Sequence, residues 1–572
     1  MMKNWLGFLA ASVVAFLLAI MATTPPGPVP ASADAKNFSA VRAMVDVRRI
    51  ASVPHPAGSA EDAAVRAYLV EHLRAMGLEV RETSAPMPQK SIARVTQWSK
   101  GTLVPTTLVN VIGVLPGKDR ALPAVAMMAH HDSVWGSPGA ADDTAGVASI
   151  LEVVRAIKAQ GQPQRDLAVI ITDGEETGLS GAKAFFADDP LRQHIGAVVN
   201  MEARGGGGRT TLFQTSRNNG DAVRLFAHVV AHPGGSSLAA YIYSVLPNDT
   251  DLSVTLKAGD TLGYNFAFIG RPGLYHSPKA TPDRLDQGAL QDMGGQVLAI
   301  TSALANAQQL PAPSANVVFF DVFGLFTVLY PVWVGWLMIG ITAAGLGLAA
   351  KRWCTLNTVL SGLARMLGLI VGAGLALYLL NIVSGSGPDH NYYDRLAAIP
   401  MLEVMAAFTC MAAFLLVYGN SAWTYGRLVG GILLLALLGT AAQVFAPTAA
   451  YFILWPALLA TLAIWGAAQY RWIAMVCAAL TFGYMLYLGH FIMQGVGPVM
   501  PSVAALTLAL ASAAMLALWP GLTARTNRIA AIALAVLAMA MALWIRFDPI
   551  ADTIAVYSSD HSVPPIPITK DH

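Results

Sequence analysis

The residues able to do chemistry sit at the ends of apolar runs in the first half of the chain. Ala124–Ala129 leads straight into His130-His131-Asp132-Ser133, and Gly139-Ala140-Ala141-Asp142-Asp143 follows before a helical pattern. Leu167–Thr172 ends in Asp173-Gly174-Glu175-Glu176-Thr177-Gly178, Ala197–Met201 in Glu202, and the segment after Phe266–Ile269 in Tyr275-His276. Taken singly, a His-x-Asp is commonly a surface accident, a Glu-Glu pair a solvated helix start, and an Asp-Asp before a helix an N-cap. Their recurrence at successive strand ends argues otherwise, because an open α/β sheet binds its ligands in the crevice beyond the carboxyl ends of its strands. Five nitrogen and oxygen ligands converging there suit zinc, and a set rich in carboxylates suits a pair of ions.

The elements that must position these residues read as an α/β domain over 34–316. The runs Leu78–Glu82, Leu108–Val114, Ala124–Ala129, Leu167–Thr172, Ala197–Met201 and Phe266–Ile269 are candidate strands, and Ala60–Met76, Thr144–Ala159 and Leu290–Ala307 carry helical periodicity. Apolar strands alternating with amphipathic helices predict a mostly parallel, buried sheet with helices on both faces. All three cysteines, Cys354, Cys410 and Cys477, lie outside this domain, so its chemistry cannot rest on a thiol or a disulfide. Net charge is +2, and no run of Lys and Arg resembles a nucleic-acid patch, which excludes that class of partner.

Beyond residue 316 the composition changes. Only 12% of the 572 residues are charged, against about 25% in ordinary soluble domains, and most of those charges precede this point. Eight apolar runs follow, at 329–350, 366–384, 400–418, 427–446, 449–468, 471–493, 499–519 and 529–545. A helix of about 20 residues crosses a hydrocarbon core of about 30 Å, so 317–546 reads as an all-α multi-span bundle. Glu403 and His490 fall near span ends and read as interfacial anchors. At the other terminus, Trp5–Met21 is a further apolar run and Thr23–Pro30 a Pro-rich linker. Ala31-Ser32-Ala33 would suit a signal peptidase, but the 17-residue apolar core is long for a signal, and residues 1–33 are expected to be an anchor and linker. With the N-terminus inside, Lys3, Lys351, Arg352, Arg365, Arg427, Arg471, Arg525 and Arg528 are cytoplasmic, and among the basic residues flanking the spans only Arg395 and Arg546 lie outside. That bias follows the positive-inside rule and places both 34–316 and the tail 547–572 outside the cytoplasm.

Pro54-His55-Pro56-Ala57-Gly58-Ser59, His130-His131-Asp132-Ser133, Pro138-Gly139-Ala140-Ala141-Asp142-Asp143, Glu175-Glu176-Thr177-Gly178-Leu179-Ser180-Gly181 and Tyr275-His276-Ser277 resemble, as a set, the zinc aminopeptidase family. That family includes bacterial leucyl aminopeptidases, glutamate carboxypeptidases and glutaminyl cyclases. The added spans resemble its membrane branch, the vacuolar membrane proteases and endoplasmic-reticulum metallopeptidases. The resemblance implies a zinc-exopeptidase-like fold and two Zn2+ per chain. In that reading His130 and Glu202 bind one ion, Glu176 and His276 the other, and Asp142 bridges them across a cis Asp142–Asp143 bond. Glu175 is the implied general base, Asp132 the acceptor for the free ring nitrogen of His130, and Tyr275 a candidate oxyanion donor with a core tyrosine as the alternative.

Two departures stand out. Ala280 occupies the place, four residues after His276, where relatives usually carry Asp, which leaves the orientation of His276 open. Glu202 replaces the aspartate of the soluble enzymes, as is common in the membrane branch. The expected activity is removal of N-terminal residues from peptides. A carboxypeptidase or dipeptidase with the same metals, a one-zinc glutaminyl-cyclase-like acyltransferase and a non-enzymatic membrane scaffold are the rivals. An aminopeptidase must also favour a protonated amine, and Asp251, or else Asp249, in Asn248-Asp249-Thr250-Asp251 is the candidate for that subsite unless these residues only cap the following helix.

Overall fold

The computed structural model describes residues 2–259, 261–387, 392–420 and 424–548, so the tail assigned to 547–572 lies almost wholly outside the described residues. The chain divides into two compact units, residues 24–329 and residues 2–23 together with 330–548. The first therefore extends beyond the expected 34–316 at both ends. Helix α1 (Met2–Thr23) belongs to the second unit.

In the unit 24–329 the strands are β1 (Glu79–Pro86), β2 (Thr107–Leu115), β3 (Ala124–His130), β4 (Leu167–Thr172), β5 (Ile195–Ala203), β6 (Gly207–Thr215) and β7 (Leu262–Gly270). They form one seven-stranded sheet in the order β1-β2-β4-β3-β5-β7-β6. The centre, β4-β3-β5-β7, is parallel, while β1, β2 and β6 pair antiparallel. The sheet is thus mixed, with its parallel part where the chemistry-bearing strand ends lie. A hairpin of β8 (Val317–Val322) and β9 (Phe326–Pro331) ends the unit.

The helices are α2 (Ala40–Ile50), α3 (Ala60–Ala75), α4 (Gln89–Trp98), α5 (Thr144–Gln160), α6 (Ser180–Asp188), α7 (Gly220–Val229), α8 (Ser237–Val245), α9 (Asp251–Ala258) and α10 (Gln287–Asn306). They cover both faces. On one, Met44, Leu69, Val154, Phe226 and Val297 pack against Val125, Met127, Ile171, Val199 and Met201. On the other, Phe185 of α6 and Leu252 of α9 pack against Ala126, Met128, Ile170 and Val198. Because side chains alternate along a strand, the even-numbered positions continue that second face at the strand ends. His130, Thr172 and Glu202 therefore point the same way, towards α6 and α9. Helix α5 starts where Asp143 caps it, accepting from the Gly146 amide at 3.2 Å, and it stops at Gly161. The same carboxylate accepts from the His130 amide at 3.2 Å, which ties the end of β3 to the start of α5.

The second unit is a helical bundle: α1 with α11 (Val334–Trp353), α12 (Leu356–Val383), α13 (Tyr392–Ala397), α14 (Ile399–Tyr418), α15 (Tyr425–Phe445), α16 (Tyr451–Gln469), α17 (Arg471–Val496), α18 (Ala504–Met515) and α19 (Ala524–Phe547). Among the described residues eight helices, α1 included, are long and apolar enough to cross a membrane. The stretch expected as a span at 499–519 contains only the 12-residue α18, because Pro498 and Pro501 delay its start and Pro520 follows its last turn. The segment nevertheless runs from one end of the bundle to the other. Asn381 donates to the Val499 carbonyl at 3.3 Å at one end, and the Leu522 amide donates to Gly419 at 2.7 Å at the other. Trp5 and Phe8 of α1 meet Trp519 at that second end, with ring centroids 5.8 and 5.1 Å apart. Small residues let α12 and α15 approach closely: a Cβ on Gly430 would lie 1.9 Å from the Val359 carbonyl oxygen. Glu403 and His490 are paired, Nδ1 to Oε2 at 3.0 Å, and Gln494 bonds the other ring nitrogen at 2.8 Å.

Candidate metal centre

The row His130–Thr172–Glu202 supplies one side of the centre. The Asp142 loop, the turn after β4 and the segment after β7 supply the rest. Gly174, at φ +67°, makes the turn that lifts Glu175 and Glu176 off the end of β4. Its α-carbon has no room for a side chain, since a Cβ would stand 2.6 Å from Leu108.

Two groups of ligand-type side chains result, His130–Asp142–Glu202 and Asp142–Glu176–His276, and Asp142 is common to both. His130 Nε2 lies 3.2 Å from Asp142 Oδ1 and 3.9 Å from Glu202 Oε2. His276 Nε2 lies 3.2 Å from Asp142 Oδ2 and 3.0 Å from Glu176 Oε2. The two oxygens of one carboxylate thus face two histidines. The Asp142–Asp143 peptide bond is cis. Glu175 stands over the first group, with Oε2 4.0 Å from His130 Nε2, and its amide donates to Asp132 Oδ1 at 3.0 Å.

Two expectations change in detail. The free ring nitrogen of His130 is held by the backbone carbonyl of Asp132 at 2.9 Å, and the carboxylate stands farther off at 3.5 Å. The chain turns as it leaves β3, so the carbonyl two residues on reaches the ring first, and the Asp132 carboxylate is left to hold the Glu175 amide. Asp249 makes no N-cap bond to α9, whose N-cap is Thr250. It pairs instead with Lys257 and accepts from the Thr250 amide at 3.3 Å. Asp251 is buried and accepts from the Thr172 hydroxyl. The orientation of His276, left open by Ala280, is supported by Tyr275, whose ring lies against the imidazole at 3.7 Å between centroids and 24°.

Burial raises the carboxyls of Glu175, Glu176 and Glu202, and neighbouring carboxylates add to the effect. Burial pushes Asp251 up to about 6, although Thr172 opposes it. Burial would also raise Asp142, but the bonds to His130 and His276 outweigh it and hold it at about 2. Burial disfavours the charged form of His276, yet Glu176 and Asp142 carry it up to about 9. Buried acceptors crowded this closely need cations, and Glu176 Oε1 has no hydrogen-bond partner at all. An oxygen-rich set with one imidazole on each side fits a pair of zinc ions.

Behind the centre is a network that the motifs did not reveal. His131 Nδ1 meets Asp62 Oδ1 at 2.7 Å and Nε2 meets the Val109 carbonyl at 3.0 Å, while Asp173 Oδ2 accepts from the Val109 amide at 2.8 Å. Asp62, His131 and Asp173 are ligand types gathered in one place, but Asp62 is already taken by His131 and Arg66. They brace the exit of β3. Only the period-2 alternation, which turns His131 away from His130, could have flagged this in advance.

Residues 110–301 match the model of peptidase family M28. That stretch, about a third of the chain, is where the likeness to peptidase family M28 lies. Endoplasmic reticulum metallopeptidase 1 of Homo sapiens is 32% identical over 314 residues, covering 52% of this chain and 34% of that one. The vacuolar membrane protease of Eremothecium gossypii is 30% identical over 300 residues, covering 50% and 29%. The chain thus spans about a third of the length of these curated relatives. Among solved structures, a zinc aminopeptidase from Bacillus subtilis aligns with 49% of this chain and 98% of its own, at TM-score 0.39 and 15% identity. The M28 match contains His130, Asp142, Glu175, Glu176, Glu202 and His276, and the second unit adds helices long and apolar enough to cross a membrane, as expected of a membrane protein.

Proposed function

We propose that the unit 24–329 is a two-zinc exopeptidase facing away from the cytoplasm, which removes N-terminal residues from peptides. The observation that carries this reading is the pair of ligand groups sharing Asp142, with Glu175 beside them. His130 and Glu202 would hold one ion, Glu176 and His276 the other, with Asp142 between. Zinc bound there would supply Lewis-acid chemistry, acidifying a water and polarising the scissile carbonyl. Glu175 Oε2 takes the proton of that water and hands it to the leaving amine. Its raised pKa suits both halves of that transfer. Asp132 holds the Glu175 backbone in place, and Tyr275, flat against His276, is a donor for the developing oxyanion.

Asp251 supports the choice of an N-terminal substrate end. Its Oδ1 is buried without a partner, and its charge acts on both Glu175 and Glu202, so it adds to a field that favours a protonated amine. Asp249, bound to Lys257, is the weaker candidate. The test is to assay the purified chain on free-amine and N-acetylated versions of one peptide, with zinc counted per chain. Two zincs and cleavage of the free-amine peptide alone are expected, and Asp251→Asn should raise KM for it severalfold at unchanged zinc content. Equal cleavage of both peptides would leave a carboxypeptidase or another specificity in its place. One zinc would favour the acyltransferase, and none the scaffold.

A further inference from the structure

Tyr243 on α8 takes no part in the chemistry described so far. Its ring is half-buried, but its hydroxyl oxygen is shut away from solvent and has no hydrogen-bond partner. Native proteins leave few buried polar atoms unsatisfied, and those that remain are often kept for a function. The ring is fixed edge-on against Phe213 of β6, with centroids 4.7 Å apart at 80°. The hydroxyl is therefore held where it is.

Thr250 and Ser253, at the start of α9, are the hydroxyls near enough to act on the phenol, but neither reaches hydrogen-bonding geometry with it, and each already accepts a bond from another side chain. Asn265 Nδ2 donates to Thr250 Oγ1 at 2.8 Å, and Gln214 Nε2 donates to Ser253 Oγ at 3.1 Å. These amides belong to a row across three neighbouring strands: Asn200 of β5 stands opposite Asn265 of β7, which stands opposite Gln214 of β6. Asn200 Nδ2 bonds Asn265 Oδ1 at 2.9 Å, and Asn265 Nδ2 bonds Gln214 Oε1 at 2.8 Å. Glu202 lies two residues beyond Asn200 and so points to the same face of the sheet. The row thus leads from the phenol to a metal-ligand position. Burial, with the nearby charges of Asp249 and Glu202, pushes the phenol's pKa up, so the group stays a neutral donor.

The acids of the centre serve a substrate amine or a metal ion, but when ionised they only accept hydrogen bonds. A peptide also brings carbonyl oxygens, and these need a donor. We propose that Tyr243 is a substrate-binding residue whose hydroxyl donates a hydrogen bond to a carbonyl oxygen of the peptide bound at the metal centre. The assignment rests on the peptidase reading above.

The test is Tyr243→Phe in the full chain, compared with wild type on a free-amine tripeptide that wild type cleaves, with zinc content and Tm measured in parallel. The variant removes one hydroxyl that lacks a hydrogen-bond partner and keeps the ring. It should keep its zinc and a Tm equal to or above that of wild type, while kcat/KM falls about tenfold, the loss of one hydrogen bond. A kcat/KM within twofold of wild type would overturn the assignment. So would loss of zinc or a lowered Tm accompanying the fall, since either makes Tyr243 part of the scaffold. A wild type that cleaves no peptide would bring down the peptidase reading, and this one with it. An active wild type with an equally active variant brings down only Tyr243.

Discussion

In the proposed mechanism two neighbouring residues carry opposite duties at the centre. Glu176 Oε2 faces His276 at 3.0 Å, whereas Glu175 Oε2 faces His130 at 4.0 Å. Glu175→Gln keeps the shape and removes the base, so zinc should stay bound while turnover falls about 10²-fold or more. Glu176→Gln removes a ligand, and zinc per chain should drop first. Metal analysis beside steady-state rates separates the two, and a fully active Glu175→Gln would remove that residue from the mechanism. The ligand types and their order were legible in the sequence because each follows a strand that reads clearly as apolar. The partner of the His130 ring was not, since a carbonyl and a carboxylate of the same Asp132 compete within 0.6 Å of each other, at 2.9 and 3.5 Å. Tyr243 was invisible for another reason. It lies in a short helix outside the ligand motifs, and its link to Glu202 runs through the amide row, which only the folded sheet assembles.

The strands gather carboxylates that share a sign, and this has a measurable cost. Asp251 is raised from 3.8 to about 6 and His276 from 6.5 to about 9, and Glu175, Glu176 and Glu202 are raised as well. A group with a raised folded pKa stabilises below its unfolded pKa and loses that contribution as pH climbs through its folded pKa. Asp142, held at about 2, acts only in strong acid. With its metals chelated, the unit should therefore melt progressively lower from about pH 5 to pH 9, by about 5 °C or more. Zinc, which replaces the protons, should restore and flatten the profile. Thermal melts across that range with and without chelator check this, and a chelated protein equally stable at both ends would refute it. Other elements show where pattern reading stops. The parallel centre of the sheet was legible because β3 and β4 are buried along their whole length. Strand β6 was not, since it begins in the run Gly205–Gly208, which lacks strand-forming side chains. The α18 segment read as a full span by composition, whereas its prolines leave a helix of 12 residues.

For the whole chain, the decisive question is which end of the bundle faces the cytoplasm. Trp353 stacks on Tyr425 at 4.5 Å, Arg365 bonds Val417 at 2.7 Å and Trp519 bonds Tyr418 at 3.2 Å, all at the end that also holds Trp5. Arg395 bonds Pro498 at 3.2 Å and Arg546 bonds Val383 at 3.3 Å at the other. The first end carries the basic excess, so a reporter active only outside the cytoplasm should work after Ser384 or Gly497 and fail after Lys351 or Arg528. Inversion at two or more sites would overturn the proposed exported placement of the metal centre. The seat of α1 in this bundle also bears on how the protein is made. Ala15 and Leu18 of α1 pack against Gly483 of α17, a helix that begins at Arg471. A ribosome adding about 5–20 residues per second needs roughly twenty seconds to a minute and a half to get from one to the other. During that interval α1 must hold its place in the bilayer by its own apolar length, while the whole unit 24–329 is translated. Helix α1 is the most apolar of the candidate spans among the described residues, as such a wait demands.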